Sequence, residues 1–183
     1  ASVIEGETTT DYTVTLEQAV PAGNSVTVNL AYTGTAADGS DFTGVASVVV
    51  TGGNTSTTFT IATLDDALAD NAETIIVDIA SIVDTNNSFE AMVEGASNQV
   101  TTVISDDVDV VSIDLAGPTS LTEGGASGTY TVSMTDALSG SVSAVTDVTV
   151  ALSYTGTAID GTDFSGVTSV TIPGGSSTGT FDI

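Results

Sequence analysis

Lysine, arginine, histidine and cysteine are all absent from this 183-residue sequence. Basic residues ordinarily supply about a tenth of a soluble chain, within a charged total near 25%, so their complete loss over this length is a property of the chain and not of sampling. The acidic count, 24 Asp plus Glu, is ordinary. The formal charge of −24 therefore comes from the deletion of cations, not from enrichment in acids. That pattern points away from a salt-adapted cytoplasmic protein, in which extra acids accompany some Arg, and towards a repetitive extracellular polymer.

Each absence closes a class of function. Nucleic acid binding needs Lys or Arg to displace phosphate counterions, and attraction to an anionic membrane surface needs the same residues; neither partner is expected. With no cationic side chain, every carboxylate must be hydrated, bonded to backbone N–H groups or neutralised by an external cation. Zero Cys removes disulfides, which a secreted location would permit, and leaves bound metal as the remaining cross-link. Without His, Lys or Cys as base or nucleophile, Ser-His-Asp chemistry and Schiff bases fail. A carboxylate pair of the glycosidase kind remains, but it needs one acid raised beside an apolar cleft, whereas the acids here sit in Gly-rich loops. No enzyme is expected. There is no 18-residue apolar run, hence no direct membrane insertion. The chain begins at Ala1 with nothing like a signal peptide, so any targeting segment is expected to lie outside it.

What is present is a repeat. Val28-Asn-Leu-Ala-Tyr-Thr-Gly-Thr-Ala-Ala-Asp-Gly-Ser-Asp-Phe-Thr-Gly-Val45 recurs as Val150-Ala-Leu-Ser-Tyr-Thr-Gly-Thr-Ala-Ile-Asp-Gly-Thr-Asp-Phe-Ser-Gly-Val167, an offset of 122 residues. The same offset carries Phe59-Thr-Ile61 onto Phe181-Asp-Ile183, whereas Glu5-Gly6 matches Glu123-Gly124 at 118, so the second copy holds four extra residues around 138–146. Copy one, residues 1–108, lacks the segment that precedes Glu-Gly in copy two. Copy two, residues 109–183, stops where copy one continues into Ala62-Thr-Leu-Asp-Asp66. A longer array is the natural expectation, with neighbouring repeats of the same chain as partners.

Short runs that alternate Val, Ile and Tyr with Thr and Ser, bounded by Gly, Asn and Asp, read as strands. In copy one they fall at 12–16, 26–32, 47–51, 57–61, 74–82 and 100–104. Tyr12, Val14 and Leu16, then Val26, Val28, Leu30 and Tyr32, then Ile75, Val77 and Ile79 supply inward faces at period two, and the intervening Thr and Ser form the solvated face. About seven strands in some 110 residues suits a two-sheet sandwich. The Gly52-Gly53 and Gly174-Gly175 pairs read as hairpin turns.

The acids cluster in loops: Glu5 at an early turn, Asp38 and Asp41 in one loop, Asp65, Asp66 and Asp70 in another, and Asp106 and Asp107 after the last strand of copy one. Oxygen-only ligands from several loops suit calcium, which takes six to eight oxygens in flexible geometry. Zinc and copper would want His or Cys. Asp38 is better read as the turn residue of Asp-Gly, and Glu73 as structural.

Ser2-Val-Ile-Glu-Gly6, Asp11-Tyr-Thr-Val-Thr-Leu16, Gly34-Thr-Ala-Ala-Asp-Gly-Ser-Asp-Phe42, Leu64-Asp-Asp-Ala-Leu-Ala-Asp70 and Val103-Ile-Ser-Asp-Asp107, in this order and spacing, resemble a Calx-beta domain. The resemblance implies a seven-stranded, immunoglobulin-like antiparallel β-sandwich that binds a calcium cluster at the end from which the chain exits. Carried over position by position, the ligands are Glu5, Asp41, Asp65, Asp66, Asp70, Asp106 and Asp107, with Glu123 and Asp163 the ligands present in copy two. The family often ends in three acids where this chain has two before Val108, which implies fewer than four ions.

Tandem units of this kind, rich in Thr, Val, Gly and Asp, are similar in composition to the extender repeats of giant RTX-type bacterial surface adhesins, although the nonapeptide Gly-Gly-x-Gly-x-Asp does not occur. The expected function is therefore a calcium-stiffened extender of a secreted bacterial surface protein. The alternatives are an adhesin module that binds a ligand such as sugar, ice or a partner, and a subunit that joins other copies of itself into a filament or sheath by strand donation at an exposed sheet edge.

Overall fold

The period-two segments become strands in a computed structural model of the chain, which describes residues 1–69, 72–137 and 140–183 and holds no helix among them. The fold is all-β, in two consecutive units, Ala1–Asp107 and Val108–Ile183.

Unit 1 contains β1 (Ser2–Ile4), β2 (Tyr12–Thr15), β3 (Ser25–Gly34), β4 (Phe42–Thr43), β5 (Ser47–Thr51), β6 (Ser56–Phe59), β7 (Ala62–Thr63), β8 (Glu73–Val83) and β9 (Gln99–Ser105). One sheet has the order β1-β9-β8-β3-β5, and the other layer is made from the pairs β2–β6 and β4–β7. Period two then decides the core. Ile75 and Val77 of β8 and Ile104 of β9 face Tyr12, Phe42 and Ile61 of the other layer in one cluster. Val26, Val28, Val48 and Val50 of the neighbouring strands build a second cluster with Val20. Phe42, Val26, Val50, Ile61 and Ile75 are wholly removed from solvent.

Three features depart from the sequence-based expectation. Ser2–Ile4 is a strand that alternation over three residues cannot reveal, and it lies parallel to β9, whereas all other ladders of the unit are antiparallel. The Gly52-Gly53 turn is not a hairpin: β5 pairs with β3 and β6 with β2, so the chain crosses there from one sheet to the other. The turn packs against residues 20–23: a Cβ at Gly52 would meet the backbone of Pro21 and Gly23 at 2.7 and 2.9 Å, and Gly53 donates to the carbonyl of Val20 at 2.8 Å. Nor is every Thr solvated. Thr9, Thr63 and Thr102 are buried, each with a hydroxyl partner, as in the 2.6 Å bond between Thr102 Oγ1 and the Tyr12 hydroxyl that joins the two layers.

Unit 2 contains β10 (Ser112–Ala116), β11 (Thr129–Thr135), β12 (Val148–Ala151), β13 (Ser169–Ile172) and β14 (Thr178–Asp182), arranged as β10-β11-β14 and β12–β13, all antiparallel. Gly174-Gly175 repeats the crossing between sheets, from β13 to β14. The aromatic pairs repeat as well: Tyr12 stacks on Phe59 at 5.1 Å and Tyr130 on Phe181 at 5.3 Å, while Tyr32 meets Phe42 at 5.4 Å and Tyr154 meets Phe164 at 5.2 Å. In the 138–146 stretch that holds the four extra residues, Leu138 and Ser139 lie outside the described residues, and Val142 and Ala144 are buried, their amides bonded to the carbonyls of Met134 and Ser176.

Candidate metal centre

The parallel pairing of β1 with β9 positions the first acid. Residues 4–7 form a tight turn closed by Glu7 N–H on the Ile4 carbonyl at 3.2 Å, with Gly6 at φ +74°. A positive φ at the third turn position is the reason for glycine there. Glu5 N–H continues the ladder onto the Ser105 carbonyl at 3.0 Å, which sets Glu5 beside the residues that come after β9. As a result Glu5, Asp106 and Asp107 each bring a carboxylate oxygen within 4.8 Å of the others, and Asp65 brings one within 4.8 Å of Asp107. Glu5 is only 9% exposed, unusual for an acid in a chain that can offer it no cationic side chain.

Two further contacts bring the Asp65 loop to the turn. Thr63 Oγ1 donates to the carbonyls of Ile4 and Glu7 at 3.0 and 2.7 Å. A Cβ at Gly6 would stand 3.0 Å from the Cβ of Asp65, so the glycine also leaves room for that side chain. A search for acids in the sequence passes over both Thr63 and Gly6; the recurring Glu-Gly pair is a signal for Gly6, and Thr63 offers none.

The remaining carboxylates serve the loops they stand in. Asp41 Oδ2 accepts from Ala37 N–H at 2.6 Å, and its carbonyl accepts from Leu64 N–H at 3.0 Å, which ties the Asp41 loop to the start of the Asp65 loop. Asp66 Oδ1 accepts from Leu68 N–H at 2.7 Å. Among the described residues neither Asp41 nor Asp66 joins the group of Glu5, Asp106 and Asp107. Asp70 lies outside the described residues. Asp38 Oδ1 accepts from Gly44 N–H at 2.8 Å, a turn contact repeated by Asp160 and Gly166. In unit 2, Asp163 repeats the Asp41 contact through Ile159 N–H at 2.8 Å. Residues 122–125 repeat the Glu-Gly turn, closed at 2.9 Å with Gly124 at φ +68°. Glu123 and Asp163 both line one open groove of that unit.

The donor set is carboxylate oxygen throughout. Calcium–oxygen distances of 2.3–2.6 Å allow two ligands of one ion to stand up to roughly 5 Å apart, and the spacing of Glu5, Asp106 and Asp107 fits within that span. Like charges at this spacing repel one another, a repulsion that a hard cation would relieve. A soft metal finds no ligand of its preference.

No known protein family matches the sequence. No curated protein matches it either. Among solved structures, the chain is similar to an apo-form Calx CBD1 domain, with 20% identity, a TM-score of 0.47 and coverage of 58% of this chain and 88% of that one. It is also similar to the calcium binding domain CBD12 of CALX1.1, with 19% identity and a TM-score of 0.46, and to CBD12 from CALX1.2, with 19% identity and a TM-score of 0.48, each covering 99% of this chain and 70% of the other.

Proposed function

We propose that this chain is a non-catalytic, calcium-stiffened structural segment of a repetitive bacterial surface adhesin, with calcium held at the end of unit 1 by Glu5, Asp65, Asp106 and Asp107. The observation that carries the reading is the gathering of the Glu5, Asp106 and Asp107 carboxylates within 4.8 Å in a chain that holds no Lys, Arg or His. Asp41 and Asp66 come second as ligands, because each already spends a carboxylate oxygen on its own loop; Asp70 completes the proposed set. Glu123 and Asp163 are the corresponding ligands of unit 2. The secreted, cell-surface setting rests on composition: hydroxyl-rich solvated faces, no thiol and no cation suit an exposed, repetitive polymer.

Calorimetric titration with calcium tests the site. Wild-type protein is expected to take up calcium and to gain thermal stability, about 2.7 kcal/mol when the free ion stands a hundredfold above its dissociation constant. Glu5→Gln and Asp106→Asn lower the affinity, whereas Asp38→Asn does not. The extender role is tested by solution scattering, where chelation is expected to reduce the radius of gyration of the whole chain. Absence of calcium binding, with identical melting with and without chelator, would overturn the proposal.

A further inference from the structure

One edge of the five-stranded sheet of unit 1 is β5, Ser47-Val-Val-Val-Thr51. Leu30 N–H donates to the Ala46 carbonyl at 3.0 Å, and opposite residues of an antiparallel ladder alternate between bonded and unbonded pairs. Val48 and Val50, opposite Val28 and Val26, therefore direct their backbone groups to β3. Ser47, Val49 and Thr51 direct theirs to the open side, where among the described residues no strand pairs with β5. Folded proteins blunt such an edge with a charge, a proline or a bulge. β5 has none of these. Its register with β3 is unbroken, and no acid occurs on β3 or between Asp41 and Asp65. Val49, on the outer face, is 43% exposed.

The second copy supplies an internal comparison. The counterpart of β5 is Ser169-Val-Thr-Ile-Pro173, and the turn that follows is the same: the Thr51 carbonyl accepts from Asn54 N–H at 3.1 Å and the Pro173 carbonyl from Ser176 N–H at 2.9 Å. Pro173 removes the edge donor that Thr51 keeps, and Thr171 stands where unit 1 exposes Val49. One copy thus carries a blunted edge, and the other an edge able to pair.

We propose that β5 is a self-pairing edge, by which unit 1 joins unit 1 of a second copy of this chain in an antiparallel dimer with Val49 on the two-fold axis. In that register Val49 exchanges both backbone hydrogen bonds with the second copy's Val49, and Ser47 exchanges both with the second copy's Thr51. A two-fold contact needs a surface complementary to itself, which a short uncharged strand centred on an exposed Val provides. Charge selects the occupant. A cationic partner would be met through the carboxylates, whereas a second chain of charge −24 can approach only where neither surface is charged, and residues 42–64 are the longest acid-free run of the sequence. No strand leaves its own sheet, and the inference does not rest on calcium.

The test is sedimentation of the full 183-residue chain in chelator, with about 0.5 M salt to screen the charge, at concentrations up to about 1 mM, the range of a small interface. A monomer–dimer equilibrium is expected. Val49→Glu, which sets like charges opposite each other, and Thr51→Pro, which copies Pro173, each weaken the dimer at least about tenfold. The Val49 side chain faces solvent in the monomer, so Val49→Glu stays folded even if Thr51→Pro does not, and circular dichroism checks both. The chain has no cysteine, so introduced thiols read the register. In Val49→Cys the two Cα atoms stand about 5.5 Å apart, within disulfide reach, and mild oxidation traps the dimer. In Ser47→Cys they stand about 14 Å apart along the paired strands, and it does not. A monomer at every concentration, a dimer as strong in folded Val49→Glu or folded Thr51→Pro as in wild type, or cross-linking of Ser47→Cys as fast as that of Val49→Cys, would overturn the proposal.

Discussion

A tyrosine hydroxyl at the rim of the core shows how much one residue position can hold. Tyr32 donates to the Val45 carbonyl at 2.7 Å and accepts from Val45 N–H at 2.8 Å, and Tyr154 repeats both contacts with Val167. Tyr32→Phe keeps the ring against Phe42 but leaves both backbone groups of Val45 without this partner, so unit 1 is expected to lose about 2 kcal/mol in denaturant unfolding. Burial, with a smaller contribution from the Asp38 charge, raises the Tyr32 hydroxyl above its ordinary pKa of 10.0, opposed by the Val45 hydrogen bond. The folded state therefore holds this proton longer than the unfolded chain does. Its contribution is complete below pH 10 and is lost as pH climbs through the raised value. Alkaline titration of stability is expected to fall less steeply in Tyr32→Phe than in wild type. The recurrence of Tyr32 as Tyr154 made its core role legible in the sequence. The Tyr12–Thr102 bond was not legible, because a Thr on a strand reads as solvated until the opposite layer is known.

At the scale of the element, β3 depends on its neighbours half by half. Residues 30–34 are strand only beside β8, and Gly34 is the point of closest approach. Gly34→Ala forces a Cβ to within 2.0 Å of the Thr74 carbonyl oxygen at a positive φ, so it is expected to destabilise unit 1 by about 3 kcal/mol or more. The repeat-related Gly156→Ala meets open space in the free chain and should cost less. Paired melting curves of the two variants check the contrast; equal losses would mean that φ strain, and not the approach of β8, requires the glycine. The Gly6 turn makes a related case. Gly6→Ala presses on Asp65 and strains φ, so it is expected to weaken calcium affinity in calorimetry although it removes no ligand. Alternation placed the six longer strands of this unit within a few residues of their observed bounds. It could not tell that β5 and β6 lie in different sheets, because a Gly-Gly turn serves a hairpin and a crossing equally well.

For the whole molecule, charge decides how folding couples to solution conditions. With a formal charge of −24 and no basic side chain, repulsion is relieved only by external ions, and screening with salt is expected to raise the melting temperature even without calcium. Calcium should act at far lower concentration than sodium, and equal molar effects of the two would reduce the metal centre to general screening. Trypsin, which needs Lys or Arg, finds no site in either state. A protease specific for acidic residues should cut the chelated protein faster than the calcium-loaded one, provided the loops of Glu5, Asp65 and Asp106 are ordered by the metal. Equal digestion with and without calcium would count against that coupling.

By itself the sequence determined the properties that depend on residue type and period alone: an all-β chain, two copies of one unit, no cationic side chain, and oxygen as the dominant metal donor. Those properties need no knowledge of what lies opposite each strand. The choice of acids that meet was made by tertiary structure. Asp41 and Asp66 stand in the right loops yet turn a carboxylate oxygen to nearby backbone N–H groups, whereas Glu5 reaches Asp106 and Asp107 because a three-residue strand runs parallel to β9 some hundred residues later. That pairing is non-local and too short to leave a periodic trace.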